Sequence, residues 1–293
     1  MSLWLDPGAS YTSGFSNAPG WRKRNIEENR KAAESRRILW SHIDEGLSKS
    51  GIEIPEGFHE NLIYKLPNVF LQFGAEAFEF PLEEPQGNIV YVGSVRPPKK
   101  AGVQSNGWLS TRDRSKPLIL VTQGTVANRD LCQLLQPAIE GLANGYVDVL
   151  VTGGGASVNN LIAASNIHIE SYVDYNEALQ QTAVFVTNGG YNVVQQALSY
   201  GVPMIIAGTT EDKPRVGHRV EYSGVGINLK TATPTKEQVR DAVEEILSNP
   251  SYRQRAQSIQ AELSQVNSVE LIADQIDRAI LASKTESSGT RKG

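Results

Sequence analysis

Short apolar runs recur through the second half of the chain, separated by more polar stretches at helical spacing. Leu118–Val121, Val147–Val151, Ile167–Ile169, Ala183–Thr187, Val202–Ala207 and Gly226–Leu229 predict six strands. Ala183–Thr187 shows no polar alternation, which suits a parallel strand covered on both faces. Strands alternating with helices predict an α/β domain built on a parallel sheet. Further on, Thr235 and Gln238 form a capping box ahead of a Val239, Val243, Ile246 stripe. Val269, Ile272, Ile276 and Ile280 mark a last amphipathic helix. From Ser283 on there is no apolar pattern, and disorder is predicted.

The first 98 residues have a different texture. Ser10–Gly20 is loop-like in composition, and Asn25–Glu45 predicts a polar helix. Asn68–Phe73 and Asn88–Gly93 predict strands, and the run Ser94–Lys100, with two prolines, reads as a linker. The expected organisation is therefore a first domain over 1–98, a linker over 99–116, a second domain over 117–283 and a tail over 284–293.

The stretch from Thr187 to Asn228 carries the most chemistry. Asn188, Gly189 and Gly190 break a strand, and a helix is expected from Tyr191 to Tyr200, closed by Gly201. The amides of Gly189, Gly190 and Tyr191 are then expected to point out of the helix N-terminus, where an anion would be held. Gly208 to Asp212 leaves the carboxyl end of the next strand, the side on which open α/β sheets bind ligands.

In order along the chain stand Tyr172-Val173-Asp174-Tyr175, Thr187-Asn188-Gly189-Gly190, Gln196, Gly201-Val202-Pro203-Met204 and Asp212-Lys213. This series resembles the donor box of the family-one glycosyltransferases, the UDP-glycosyltransferase superfamily, and above all its bacterial and fungal macrolide-glycosyltransferase-like branch. The resemblance runs from about Pro117 to Ala282. It implies a GT-B fold, with one complete doubly wound, Rossmann-like parallel-sheet domain preceded by a partial N-terminal domain. It also implies donor-binding roles. Tyr172 would stack on uracil beside Val173, and Gln123-Gly124-Thr125 and Asn188-Gly189-Gly190-Tyr191 would face the phosphates. Gln196 would bond the ribose, and Asp212 and Lys213 the donor sugar.

Three positions depart from the family's pattern. Asn188 stands for a histidine and keeps a donor without its possible charge, so a phosphate contact there would be weaker. Gln196 stands for a glutamate. Lys213 stands for a glutamine, which would suit an acidic or modified sugar. Each assignment also has a structural alternative. The glycines could form a plain turn, Tyr172 and Tyr175 could be core or surface aromatics, Asp212 could cap a helix ahead of Pro214, and Gln123 and Thr125 could do the same.

Composition removes other classes. The 293 residues have 40% hydrophobic and 20% charged content, with a net charge of −4, which gives no electrostatic case for nucleic acid. The chain lacks GxxxxGK[ST], GxGxxG and CxxC patterns, so ATPase, dehydrogenase and zinc readings lack support. A single cysteine, Cys132, fits a reducing compartment and is expected as a small buried hydrophobe on a helix. No apolar run reaches the length of a membrane span, no secretory leader is expected, and a cytoplasmic protein is predicted.

The resemblance thus implies an inverting, metal-independent hexosyltransferase of secondary metabolism. It would move sugar from a UDP-sugar, its co-substrate in place of any cofactor, to a hydroxyl of a small lipophilic acceptor. In the family the base is a histidine of the first domain, and none here matches it. His42 is expected to follow a polar helix, and His59 comes after a proline loop. His168 lies in a strand and His218 on a helix, so the catalytic residue is unknown. The alternative is a catalytically incomplete nucleotide-sugar-binding remnant, or the donor-binding subunit of a split transferase that relies on a partner chain for the first domain.

Overall fold

The computed structural model describes residues 19–52, 67–80, 88–95, 107–124 and 130–289. Thr125, His59 and the 96–106 part of the expected linker lie outside them. The chain divides into two compact units, one of residues 94–265 and one of 1–93 with 266–293.

The larger unit is a doubly wound sheet. Its strands are β3 (Leu118–Thr122), β4 (Asp148–Thr152), β5 (Ile167–Glu170), β6 (Thr182–Thr187), β7 (Met204–Ile206) and β8 (Gly226–Asn228). They pair in the order β5-β4-β3-β6-β7-β8, parallel throughout. Chain order reverses at β3, whose neighbours are β4 on one side and β6 on the other. That reversal is the topological switch point, where such folds open a crevice beyond the strand ends.

The continuous apolar runs find their reason in this sheet, because both faces are covered. Ile119, Val121, Val149, Val151, Val184, Val186 and Ile205 point to one core. There they meet α3 (Leu135–Leu142) and α7 (Lys236–Ser248). Leu118, Leu120, Leu150, Phe185, Met204 and Ile206 alternate with these and are also buried completely. Around the sheet lie α2 (Gly107–Thr111), α4 (Tyr175–Ala178), α5 (Tyr191–Leu198), α6 (Lys213–Tyr222) and α8 (Pro250–Ser264). Thr235 and Gln238 close both bonds of the expected capping box of α7.

Two features of this unit lie outside the sequence expectations. Helix α8 follows α7 directly because Asn249 caps the Ser251 amide and Pro250 starts the new helix. Arg253 on α8 then donates to the carbonyls of Gly201 and Thr182 at 2.8 and 2.9 Å. Burial lowers its pKa, a cost that these bonds offset. Cys132 is a correction. It is exposed, in a 3-10 turn at Leu131–Gln133, because the Asp130 carboxylate accepts its amide and winds the turn at the surface.

The smaller unit holds α1 (Trp21–Ser48), β1 (Phe70–Gln72), β2 (Ile89–Tyr91) and α9 (Ser268–Gly289). β1 and β2 pair in parallel, and Phe78, Phe80 and Val92 are buried beside them. Here too an expectation is corrected: His42 lies within α1, where its Nδ1 is 2.8 Å from the Ile38 carbonyl. Helix α9 continues beyond Ser283 to Gly289. Among the described residues no helix is long and apolar enough to cross a membrane.

Candidate functional site

Three strands of the sheet end alike. Thr122, Thr152 and Thr187 close β3, β4 and β6, and each hydroxyl accepts the amide of a glycine two residues on, Gly124, Gly154 and Gly189, at 3.2 to 3.4 Å. All three glycines have positive φ, between 61° and 88°. A threonine hydroxyl can replace a backbone acceptor in a turn, and a residue in the left-handed region carries the chain away from the strand. The Thr-x-Gly repeats were a visible signal for this device, and the sequence expectations used only the one at Thr187.

At the switch point the two central turns are tied together. Buried Asn188, after β6, donates its side-chain amide to the Gln123 carbonyl after β3. Gln123 is itself consumed by the fold. Its Nε2 donates to the Asp130 carbonyl at 2.7 Å, and its Oε1 accepts the Leu134 amide at 3.2 Å. Its side chain is therefore held by Asp130 and Leu134, which leaves its backbone to face a ligand.

Gly189 also differs from expectation. Its amide turns back to Thr187 Oγ1, so it does not join the donors at the start of α5. Those donors come from Gly190 and the first helical turn, since α5 begins with no side-chain cap. Gly190 has ordinary φ of −60°, and a Cβ there would meet nothing closer than Val193 Cγ1 at 3.9 Å. Buried Tyr191 is the first residue of the helix.

Near α4, Tyr172 is 46% exposed, so the core alternative fails for it. Tyr175 is half-buried and has a structural role: it packs edge-on against Phe185 and donates to Thr122 Oγ1 at 2.9 Å. Burial raises its phenol pKa. Val173 is buried and can offer only its backbone. On α5, Gln196 donates to Asn176 Oδ1 at 3.1 Å, and Tyr200 donates to the same oxygen at 3.1 Å. Asn176, absent from the expected site, thereby orients the Gln196 amide and leaves Gln196 Oε1 as an acceptor.

Beyond β7, Asp212 occupies the N-cap position of α6 but makes no side-chain capping bond, contrary to the plain helix-cap alternative. Lys213 is buried and ion-paired with Glu211. His168 stacks on Trp108 with ring centroids 4.8 Å apart and lies 2.8 Å from Glu170, while His218 is 3.8 Å from Glu221. Among the described residues no set of three His, Cys, Asp or Glu side chains could hold a metal ion.

Comparison with known proteins adds the family. The family described as "Erythromycin biosynthesis protein CIII-like, C-terminal domain" matches residues 148–278. The "UDP-glycosyltransferase 2" of Phaeomoniella chlamydospora is 32% identical over 96% of this chain and 64% of its own length. Among solved structures, the glycotransferase of kitacinnamycin shares the fold with a TM-score of 0.70 at 22% identity, over 86% of this chain and 67% of that one. The glycosyltransferase VinC, solved in complex with DTDP, does so with a TM-score of 0.60 at 21% identity, over 90% and 64%. The chain spans about half to two thirds of the length of its curated relatives.

Proposed function

Because the chain belongs to the family-one glycosyltransferases of GT-B fold, we propose that its larger unit binds a UDP-sugar in the crevice between β3 and β6. The protein would serve transfer of the sugar to a hydroxyl of a small lipophilic acceptor. The observation that carries this reading is the switch point itself. Asn188 locks the two strand-end turns together, and the uncapped start of α5 opens beside that lock.

The roles follow from the exposed and unfilled groups. Exposed Tyr172 offers a face for uracil, and Gln196 Oε1, aligned by Asn176, accepts a ribose hydroxyl. First-turn amides of α5 meet the diphosphate, and the uncapped Asp212 carboxylate accepts hydroxyls of the sugar. In the transfer, the acceptor oxygen bonds to the anomeric carbon on the face opposite the departing diphosphate. The bond from that carbon to the phosphate oxygen breaks, UDP leaves with the electron pair, and the acceptor proton passes to a base. Part of the charge on the leaving diphosphate then falls to the oriented amides.

The described histidines are engaged elsewhere: His42 with a helix carbonyl, His168 between Trp108 and Glu170, and His218 near Glu221. The proposal accordingly assigns the base to none of them. Calorimetry of the purified 293-residue chain with UDP and UDP-glucose, with hydrolysis followed in the same samples, tests the reading. Micromolar UDP affinity is the expected result, and a folded sample that binds no UDP would overturn it.

A further inference from the structure

We propose that Lys213 supplies the cation that meets the donor diphosphate, an inference that rests on the donor-site reading above. Lys213 is an unusual residue to bury. Its side chain is 6% exposed, and its one partner among the described residues is the Glu211 carboxylate, itself 57% exposed. An ammonium has three N–H donors, and burial is costly when they are not matched. Here one is matched, by a carboxylate that water already solvates. Glu211 takes the left-handed conformation, with φ of 57°, which is uncommon for a glutamate.

The position of the lysine stem says what would satisfy the other donors. A Cβ on Gly208 would overlap the Asn188 backbone carbonyl and would come within 2.8 Å of Lys213 Cδ. Gly208 therefore lies next to both the Lys213 stem and the backbone carbonyl of Asn188, the residue that precedes Gly189-Gly190 and α5. The stem thus runs past Gly208, close to the turn that presents the helix amides, and the ammonium lies two bonds beyond Cδ, paired with Glu211. On this proposal an anion held on those amides takes the ammonium donors that no described residue meets.

The electrostatics point the same way. A helix start offers the equivalent of roughly half a positive charge, which leaves a diphosphate largely uncompensated. Asn188 adds a dipole but no charge. Lys213, if drawn from Glu211 to the anion, would add a full charge, so its partner would be the diphosphate and not the sugar hydroxyls.

UDP, UMP and uridine binding to the 293-residue wild type, Lys213→Met and Glu211→Gln would test this, each read beside a melting curve. Lys213→Met should weaken UDP by roughly 10- to 100-fold, the usual range for a charge-assisted bond, with uridine within about twofold. UMP should fall between them. Glu211→Gln, at the surface, should hold or tighten UDP because the lysine loses its competitor. It keeps the test standing if Lys213→Met fails to fold. An unchanged UDP affinity in Lys213→Met, an equal loss for uridine, or a weakening in Glu211→Gln would each overturn the inference. A folded wild type that binds no UDP would instead sink the donor-site reading, and the lysine's role with it.

Discussion

The side-chain amide of Asn188 donates to the backbone carbonyl of Gln123, joining residues 65 apart in sequence across the two central strand ends. The bond lies at the point where strand order reverses, so it sets the distance between the two turns that frame the crevice. Asn188→Asp would put an acceptor against that carbonyl. It should cost about 1–3 kcal/mol in denaturant unfolding and weaken UDP binding, whereas Asn188→His keeps a donor and should retain binding. Wild-type stability in Asn188→Asp would show that the bond does not hold the turns.

Gly189 and Gly190 should separate fold from function. A Cβ at Gly189, where φ is 88°, would come within 2.5 Å of Ile206 Cγ2, so Gly189→Ala should lose about 1–3 kcal/mol. Gly190→Ala finds open space and an allowed backbone, and its melting temperature should hold or rise. Its UDP affinity should nevertheless fall, because the methyl group stands where phosphate approaches. Calorimetry beside thermal melts checks both, and unimpaired UDP binding by Gly190→Ala would count against the phosphate position.

Exposed Tyr172 contributes little to the core, so Tyr172→Ala should leave unfolding near wild type. If the ring stacks on uracil, nucleotide affinity should drop by about 1–3 kcal/mol, a range taken from base stacking on aromatic side chains. Equal affinities for UDP and for a non-aromatic diphosphate in the wild type would argue that no stacking occurs.

Tyr175 predicts alkaline behaviour. Burial raises its pKa above the ordinary 10.0, so the folded state keeps the phenol proton that the unfolded chain releases. Its contribution to stability is fully present below pH 10 and is lost as pH rises from there through the folded pKa. Urea midpoints measured across that interval should fall in the wild type, and the fall should be smaller in Tyr175→Phe. Parallel curves for the two proteins would remove Tyr175 as the cause.

Much of the fold was legible because parallel strands buried on both faces must be apolar at every position. Each of the six predicted runs overlaps an observed strand, with ends displaced by a residue or two. The capping box of α7 was equally legible, since its two bonds join residues three apart. Helix α8 was passed over although Asn249-Pro250 is helix-start chemistry, because its weak apolar stripe on a polar helix gives little periodic signal.

The site was legible in part. The order of Tyr172, Gly190, Gln196 and Asp212 along the chain pointed to one unit, in which Tyr172, Gly190 and Asp212 follow β5, β6 and β7 and Gln196 lies on α5. What each side chain touches could not be seen. Gln123 reads as a ligand contact until its amide is found spent on Asp130 and Leu134. Asn176 has no motif of its own, yet it aligns Gln196 and Tyr200 from 20 and 24 residues away.

The sequence by itself determined the alternation of strand and helix, the glycine breaks at the strand ends and the family these belong to. All of these depend on neighbours within a few residues, where periodicity and backbone sterics act directly. Only the tertiary structure decided that Asn188 bonds to Gln123, that Gly189 turns its amide inward, and that Lys213 is buried beside Gly208 and paired with Glu211. Those outcomes depend on which strand ends the sheet sets side by side, and on which polar groups must find partners once water is gone.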